Sequence, residues 1–141
     1  MQRTTESTPR DDEGGGDTPT IPFVGQWNVV KYVDKEYHGS DLYSQNESSG
    51  NEYRIDFTEN TVTWMSERYP FDDTVWKEER SGTYHMDGTM LVFDSGEFDY
   101  FEVTSFDGQD NMQVVFQYSR YKSGTTVRYV KQMDLQRKKT L

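Results

Sequence analysis

Residues 23–32 read FVGQWNVVKY, the first apolar stretch of the chain, and they decide the fold. The alternation after Gly25 is typical of a β-strand. A glycine two residues before a tryptophan lets neighbouring backbone approach, which leaves room for the indole to lie across the end of a barrel. We therefore predict that this strand begins one closed sheet, with Gly25 and Trp27 as a structural plug at its end.

The rest of the chain predicts an all-β fold of eight strands joined by turn signals. Asp87-Gly88 is a strong hairpin signal, and Gly88 is expected to need a positive φ in a type I′ turn. Mostly short links make neighbouring strands antiparallel, and eight strands can close an up-and-down barrel. Residues 34–51 show no period and predict a long loop. The predicted strands are 25–33, 53–57, 62–65, 75–86, 90–93, 98–106, 112–121 and 126–135.

Composition excludes several functions. The chain has 141 residues, enough for one domain with its own core, and its ten Tyr, eight Phe and three Trp predict a core built of rings. A net charge of -10 argues against nucleic acid and against anionic lipid surfaces. There is no cysteine, which excludes thiol catalysis and thiolate metal sites, and no apolar run is long enough for a membrane-spanning helix.

The chain divides into three parts by composition. Residues 1–22 are acidic and rich in Gly, Ser, Thr and Pro, so we expect a disordered polar tether, with an inert tail as the alternative. Residues 23–137 form the predicted barrel, and residues 138–141 are a basic C-terminal end.

No catalytic constellation is found, and no metal site or cofactor is predicted. His38 and His85 have no spacing that suggests shared metal ligands. The acidic pairs Asp72-Asp73 and Glu78-Glu79 would point to opposite faces of a strand, so neither pair suits acid-base chemistry. Residues 107–111, DGQDN, lack the spacing of a calcium loop and predict a solvated hairpin turn.

The alternation places one charged residue, Lys131, among apolar inward positions. An unpaired ammonium is costly inside a barrel. Lys131 is therefore expected either near a rim or turned outward by a bulge, or else against the acid group of an amphipathic ligand. If Lys131 contacts the acid group of a ligand, the ligand-binding site is completed by Tyr53, Trp64, Tyr118 and Tyr129. The inward set as a whole is Trp27, Val29, Tyr53, Ile55, Phe57, Val62, Trp64, Tyr84, Met86, Leu91, Phe93, Phe101, Val103, Met112, Val114, Phe116, Tyr118, Val127, Tyr129, Lys131 and Met133.

The residues resemble the lipocalin superfamily (the calycins), and most nearly the bacterial lipocalin-like domain of small exported lipoproteins. Gly25-Gln26-Trp27 resembles the first-strand signature, and the pattern continues in residues 53–62, 82–91, 101–103, 112–114 and 129–131. The resemblance covers residues 23–137. It implies an exported barrel in the periplasm or at the cell surface, held at the outer membrane by a lipidated cysteine just upstream of this chain. It also implies an arginine on the last strand beside Trp27, for which Arg128 is the candidate.

Two functions from different classes follow, and both stay open at the level of sequence. The first is a non-enzymatic barrel that binds a small apolar or amphipathic ligand at the bacterial cell envelope. The second is a filled barrel that serves as a protein-interaction or accessory module of an envelope complex. An open apolar cavity would favour the first, and ring-filled packing the second. A barrel hydrolase or isomerase is the remaining alternative, for which no acid-base pair is readable.

Overall fold

The computed structural model describes residues 22–67 and 76–138, so the predicted tether, apart from Pro22, and most of the basic end lie outside the described residues. Every regular element in these ranges is a β-strand. The strands are β1 (Gly25–His38), β2 (Asp41–Ser48), β3 (Tyr53–Phe57), β4 (Thr61–Glu67), β5 (Trp76–Asp87), β6 (Met90–Gly96), β7 (Tyr100–Phe106), β8 (Asn111–Lys122) and β9 (Thr125–Arg137). No helix in the described ranges is long and apolar enough to cross a membrane.

Eight of these strands form the predicted antiparallel up-and-down barrel. Their order is β6-β5-β4-β3-β1-β9-β8-β7, so the first and last strands of the chain lie side by side. The two edge strands, β6 and β7, face each other across a seam, which makes the barrel nearly closed. The predicted fold class is therefore confirmed.

The predicted loop over residues 34–51 is wrong. Strand β1 continues to His38 and turns at Gly39 into β2, which pairs with β1 from Tyr32 to His38 and lies off the main strand order. Strand β2 carries polar side chains on both faces and is almost wholly exposed, so it has no apolar alternation from which to predict it. The hairpin extends the sheet beyond the end of β3.

The barrel interior is filled by the inward residues that alternation predicts. All of them are buried or half-buried. A continuous series of ring contacts crosses the lower interior, by which we mean the part of the barrel nearer Trp27. Phe57 lies 6.0 Å from Phe101, and Phe101 stacks on Phe116 at 5.7 Å. Phe98, between β6 and β7, adds a contact of 5.0 Å to Phe116. Rings therefore occupy the volume that aliphatic residues fill in many cores.

Trp27 lies fully buried at one end of the barrel. Its Nε1 donates a hydrogen bond to the Phe23 carbonyl oxygen at 2.8 Å. The guanidinium of Arg137 packs over the indole at 4.4 Å and donates to the carbonyl oxygens of Val24 at 2.9 Å and Pro22 at 2.6 Å. A Cβ at Gly25 would lie 3.4 Å from Arg137, at the lower limit of an ordinary contact.

The last-strand arginine beside Trp27 is therefore Arg137, and the choice of Arg128 is wrong. Arg128 lies nearer the other end of β9, with its guanidinium 4.5 Å from the centre of the Tyr37 ring. Arg137 rather than Arg128 covers the indole because Arg137 is the cross-strand partner of Trp27 in the β1–β9 pairing.

The β5–β6 turn is not of the predicted type, whereas the β8–β9 turn is of type I′. Gly88 has the expected positive φ of 63°, but Thr89 does not, so the β5–β6 turn is not type I′. Ser123 and Gly124 both have positive φ, which is the type I′ pattern, and they connect β8 to β9.

Candidate ligand site at the barrel mouth

The five residues predicted to bind a ligand converge in the upper interior, at the end opposite Trp27, which we call the mouth. Tyr53 lies 5.4 Å from Trp64, and Trp64 lies 5.9 Å from Tyr118. Tyr118 stacks on Tyr129 at 5.1 Å. Lys131 lies among them, with its Nζ 5.8 Å from the centres of the Trp64 and Tyr118 rings and 5.5 Å from that of Tyr129. Alternation predicts that these side chains face inward, and the register of the strands brings them to one level.

Lys131 is buried inside the barrel and has partners within the chain. Its Nζ donates to Asp34 Oδ1 at 2.6 Å and to the Tyr32 hydroxyl at 2.8 Å. The Lys131 residue is 6% exposed, so it neither reaches a rim nor turns outward. The acid that compensates its charge is Asp34, whose side chain is 23% exposed. A contact between Lys131 and the acid group of a ligand stays a prediction.

Sequence reasoning missed Tyr32 and Asp34 because β1 contains a bulge. The pairing of β1 with β9 shifts between Val29 and Lys31, leaving Val30 exposed. Strict alternation from Val29 would turn Lys31 inward, whereas the bulge turns Tyr32 and Asp34 inward instead. The signal available in the sequence was a large ring, Tyr32, out of phase with Trp27 and Val29.

Burial holds the phenols of Tyr32, Tyr53 and Tyr118 in their neutral form. Burial, and then the charge of Asp34, raise the pKa of Tyr32 far above its ordinary value, and the rings of Tyr32 and Tyr53 lie 5.0 Å apart. Burial raises the pKa of Tyr118 to about 12, although the nearby Arg80 acts to lower it. These hydroxyls can therefore donate or accept hydrogen bonds but carry no charge near neutral pH.

Arg80 is a second cation at the mouth, which sequence reasoning did not select. It lies opposite Trp64 in the β4–β5 pairing, and its guanidinium packs over the Tyr118 ring at 3.9 Å. Nη1 donates to the Glu97 carbonyl oxygen at 3.1 Å. Among the described residues no carboxylate lies within salt-bridge distance of Arg80. A second bulge, between Trp64 and Met65 in the β4–β5 pairing, accompanies this arrangement and was not readable from the sequence.

Trp64 has an unsatisfied polar atom. Its side chain is buried, and Nε1 has no hydrogen-bond partner in the part of the chain that the structure describes. A buried donor without an acceptor is costly and rare in folded proteins. The mouth therefore offers one hydrogen bond to an acceptor that the described residues do not supply.

Within residues 22–67 and 76–138, no strand completes the barrel wall beside this site. Strand β6 reaches only to Gly96, opposite Gly82, and β7 begins at Tyr100, opposite Gln117. Above these pairs the space between β5 and β8 is spanned by the contact of Arg80 with Tyr118. Gly82 and Gly96 approach so closely that a Cβ on Gly96 would lie 2.3 Å from the Gly82 Cα.

The two histidines selected in the sequence have carboxylate partners outside this site. His38 contacts Glu36 at 2.7 Å, and His85 contacts Asp94 at the same distance on the barrel exterior. Of the two acidic pairs, Asp72-Asp73 lies outside the described residues. No cluster of potential metal ligands occurs within residues 22–67 and 76–138.

Residues 107–111 form the predicted hairpin turn. The Asp107 carboxylate accepts hydrogen bonds from the backbone amides of Gln109, Asp110 and Asn111 and from the Asn111 side chain. These bonds lower the pKa of Asp107 to about 2, and the bond from the Asn111 side chain has the largest effect. The carboxylate therefore stabilises the β7–β8 connection.

The strand order, the buried Trp27 and the arginine across it define a lipocalin-like barrel. No family model matches the sequence, and no curated protein matches it either. Among solved structures, apocrustacyanin C1 is similar, with 14% sequence identity and a TM-score of 0.40, over 86% of this chain and 63% of that protein. This chain thus spans less than two thirds of that protein's length.

Proposed function

We propose that this protein is a non-enzymatic lipocalin-like barrel that binds a small amphipathic molecule at its mouth. One observation carries the proposal: Trp64, buried among the rings of Tyr53, Tyr118 and Phe116, presents an N–H group for which the described chain provides no acceptor. Mostly apolar walls with a few convergent polar groups are the usual form of a small-molecule site.

The ligand is expected to bind shallowly. Phe98, Phe101 and Phe116 fill the interior below Trp64, so a long apolar chain cannot extend to the Trp27 end without displacing them. At the mouth, the side chains of Tyr53 and Tyr129 are half-exposed, and Lys131 and Asp34 provide polar groups. A molecule with one flat or short apolar part and one polar group matches this gradient.

A second candidate function is favoured by the same ring packing. A barrel whose lower interior is filled can act as a protein-interaction or accessory module, with the exposed β1–β2 hairpin available to a partner. In this case Trp64 and Lys131 would serve the core alone. Binding experiments with small probes separate the two functions.

The proposed place of action is the bacterial cell envelope. The resemblance of residues 23–137 to exported lipocalin-like domains supports it, as does the acidic composition of residues 1–22, which is rich in Gly, Ser, Thr and Pro as linkers are. The protein would be held at the membrane through a lipid anchor upstream of this chain. Fractionation of the native host tests the location: we expect the protein in the membrane fraction, released by detergent, and a soluble cytoplasmic pool would contradict the proposal.

The ligand function is tested with small molecules. Mass spectrometry of the protein purified from its native host should reveal a co-purified amphipathic compound. In parallel, fluorescent amphipathic probes with a flat or short apolar part should bind the wild type and bind Tyr129→Ala more weakly, because Tyr129 lines the mouth. Tyr121→Ala is the matched control, since Tyr121 lies on the neighbouring strand and is 76% exposed. Absence of probe binding to the wild type would refute ligand binding at the mouth and favour the filled-barrel function.

A further inference from the structure

The two cations at the mouth differ in how far the chain compensates their charge. Lys131 forms a close ion pair with Asp34 and donates a second hydrogen bond to Tyr32. The pair is neutral as a unit, and its hydrogen bonds are internal. Binding a ligand acid to Lys131 would set that acid against the Asp34 carboxylate, which already accepts from the same ammonium group.

Arg80 is the cation whose charge the described chain leaves uncompensated. Its one hydrogen bond there goes to a backbone carbonyl oxygen, that of Glu97. The carboxylate of Glu97 instead accepts from the Ser81 amide at 2.9 Å. Guanidinium N–H groups beyond Nη1 are thus available, and they are arranged to bind a carboxylate by two parallel hydrogen bonds.

The residue that carries the unsatisfied donor, Trp64, is the cross-strand neighbour of Arg80. Both side chains pack against the ring of Tyr118, Trp64 at 5.9 Å and Arg80 at 3.9 Å. The guanidinium and the indole with the unsatisfied N–H group therefore contact the same ring. An anionic oxygen can accept from such donors, whereas a wholly apolar molecule would leave the Trp64 donor without an acceptor.

The incomplete wall provides a path for the polar end of the ligand. Arg80 is half-buried and spans the opening between β5 and β8 above Gly96. A head group held by Arg80 would lie in this opening and stay in contact with water. The apolar part would then lie inward, against Trp64 and the rings of Tyr53 and Tyr129.

We infer that Arg80, rather than Lys131, anchors the ligand, and that the ligand class is an amphipathic organic anion such as a carboxylate. Arg80 and Trp64 bind its head group in the wall opening, while the Lys131–Asp34 pair stays intact and holds the strands around it. The inference rests on the proposed ligand function and specifies the chemistry of that site.

A matched pair of probes tests the inference: a fluorescent aromatic carboxylic acid with a short apolar part and its methyl ester, which differ in the charge of the head group. Wild type should prefer the acid. Arg80→Met should weaken acid binding roughly tenfold or more, as expected for hydrogen bonds to a charged group, and should change ester binding little. Raising the salt concentration should weaken acid binding to the wild type, because the head group lies near water.

Two further variants make the test specific. Arg120→Met removes the same charge from an exposed part of β8 and should leave the preference for the acid nearly unchanged. Trp64→Phe removes the N–H donor together with part of the ring volume; the lost volume affects both probes, so the lost donor should reduce acid binding more than ester binding. This variant also decides the matter if Arg80→Met does not fold, as judged by its thermal melt.

The outcomes separate this inference from the function on which it rests. If the probes bind but Arg80→Met keeps the wild-type ratio of acid to ester affinity, or Arg120→Met changes it equally, Arg80 is not the anchor and ligand binding stands. For a non-folding Arg80→Met, an unchanged ratio in Trp64→Phe overturns the anchor in the same way. If neither probe binds to the wild type, the proposed ligand function fails as well.

Discussion

Replacing Lys131 by Met removes one member of a buried ion pair and leaves the other in place. Asp34 loses the ammonium that contacts it at 2.6 Å, and the Tyr32 hydroxyl loses its donor. Breaking a fully buried pair in this way costs about 3–5 kcal/mol, since the remaining charge is uncompensated. The Asp34 side chain is 23% exposed and can recover part of its hydration, so we expect a loss of about 2–3 kcal/mol in the free energy of unfolding.

The double variant Lys131→Met/Asp34→Asn distinguishes this reasoning from a simple loss of packing. Removing both charges together leaves no uncompensated ion, so the double variant should recover most of the lost stability, with a coupling energy of about 2 kcal/mol. Lys31→Met is the control for an exposed pair: Lys31 and Glu47 lie 3.2 Å apart but are more than half exposed, so the change should be below about 0.5 kcal/mol.

Urea unfolding, followed by tryptophan fluorescence with the slope of each transition compared, measures all of these variants. The reasoning would be refuted if Lys131→Met were as stable as the wild type, or if the double variant were as unstable as the single one. The result also bears on ligand studies. A loss of probe binding in Lys131→Met would reflect a disturbed mouth as much as a lost ligand contact, so this variant alone cannot identify the anchor.

The remaining predictions concern the scaffold. Trp27→Ala should lower the free energy of unfolding by about 3–5 kcal/mol, because it empties the closed end, and an unchanged thermal melt would disprove its role as a plug. Gly88→Val should cost about 1–2 kcal/mol through the positive φ of 63°, measured by urea unfolding, and an unchanged midpoint would exclude strain at this turn. Burial raises the pKa of Tyr84 from 10.0 to about 12, so its contribution to stability is complete below pH 10 and declines as the pH rises to about 12; urea midpoints should fall over this window, and less steeply in Tyr84→Phe. Limited proteolysis should remove the first 20 residues or so and leave a resistant fragment that begins near Ile21, whereas a protected N-terminal segment would argue against a tether.

The fold could be predicted because the barrel imposes a period of two on most of its strands. Inward positions such as Ile55, Phe116 and Met133 follow directly from alternation, since a one-residue slip would expose every ring of the strand. Glycine-containing turns between the runs set the strand count. These are local signals, and each is repeated along the chain.

The parts that escaped prediction depend on departures from that period or on distant pairing. The bulge near Val30 exchanges the inward and outward positions of β1, which hid Asp34, the acid that compensates Lys131. Strand β2 is exposed on both faces, so no alternation marks it. Arg80 was passed over because its role depends on the short reach of β6 and on a ring in β8, which no local pattern encodes.

The same limits apply to the arginine that covers Trp27. Both Arg128 and Arg137 lie on β9, and choosing between them requires the register of β9 against β1. That register is set over the whole length of the two strands, including the bulge. Only the three-dimensional pairing places Arg137 over the indole and Arg128 beside Tyr37.

The adjacency of the first and last strands fixes how the molecule can be attached to anything else. Arg137 binds the carbonyl oxygens of Pro22 and Val24, and the Lys138 amide donates to the Gln26 carbonyl oxygen at 2.8 Å, so both ends of the described chain leave the barrel beside Trp27. The mouth lies about 20 Å away along β1. A linker, fused domain or sensor surface joined directly at Pro22 or Lys138 would therefore stand behind the barrel and leave its opening facing free solution. Immobilised at either of these residues, the protein should present the same accessible site.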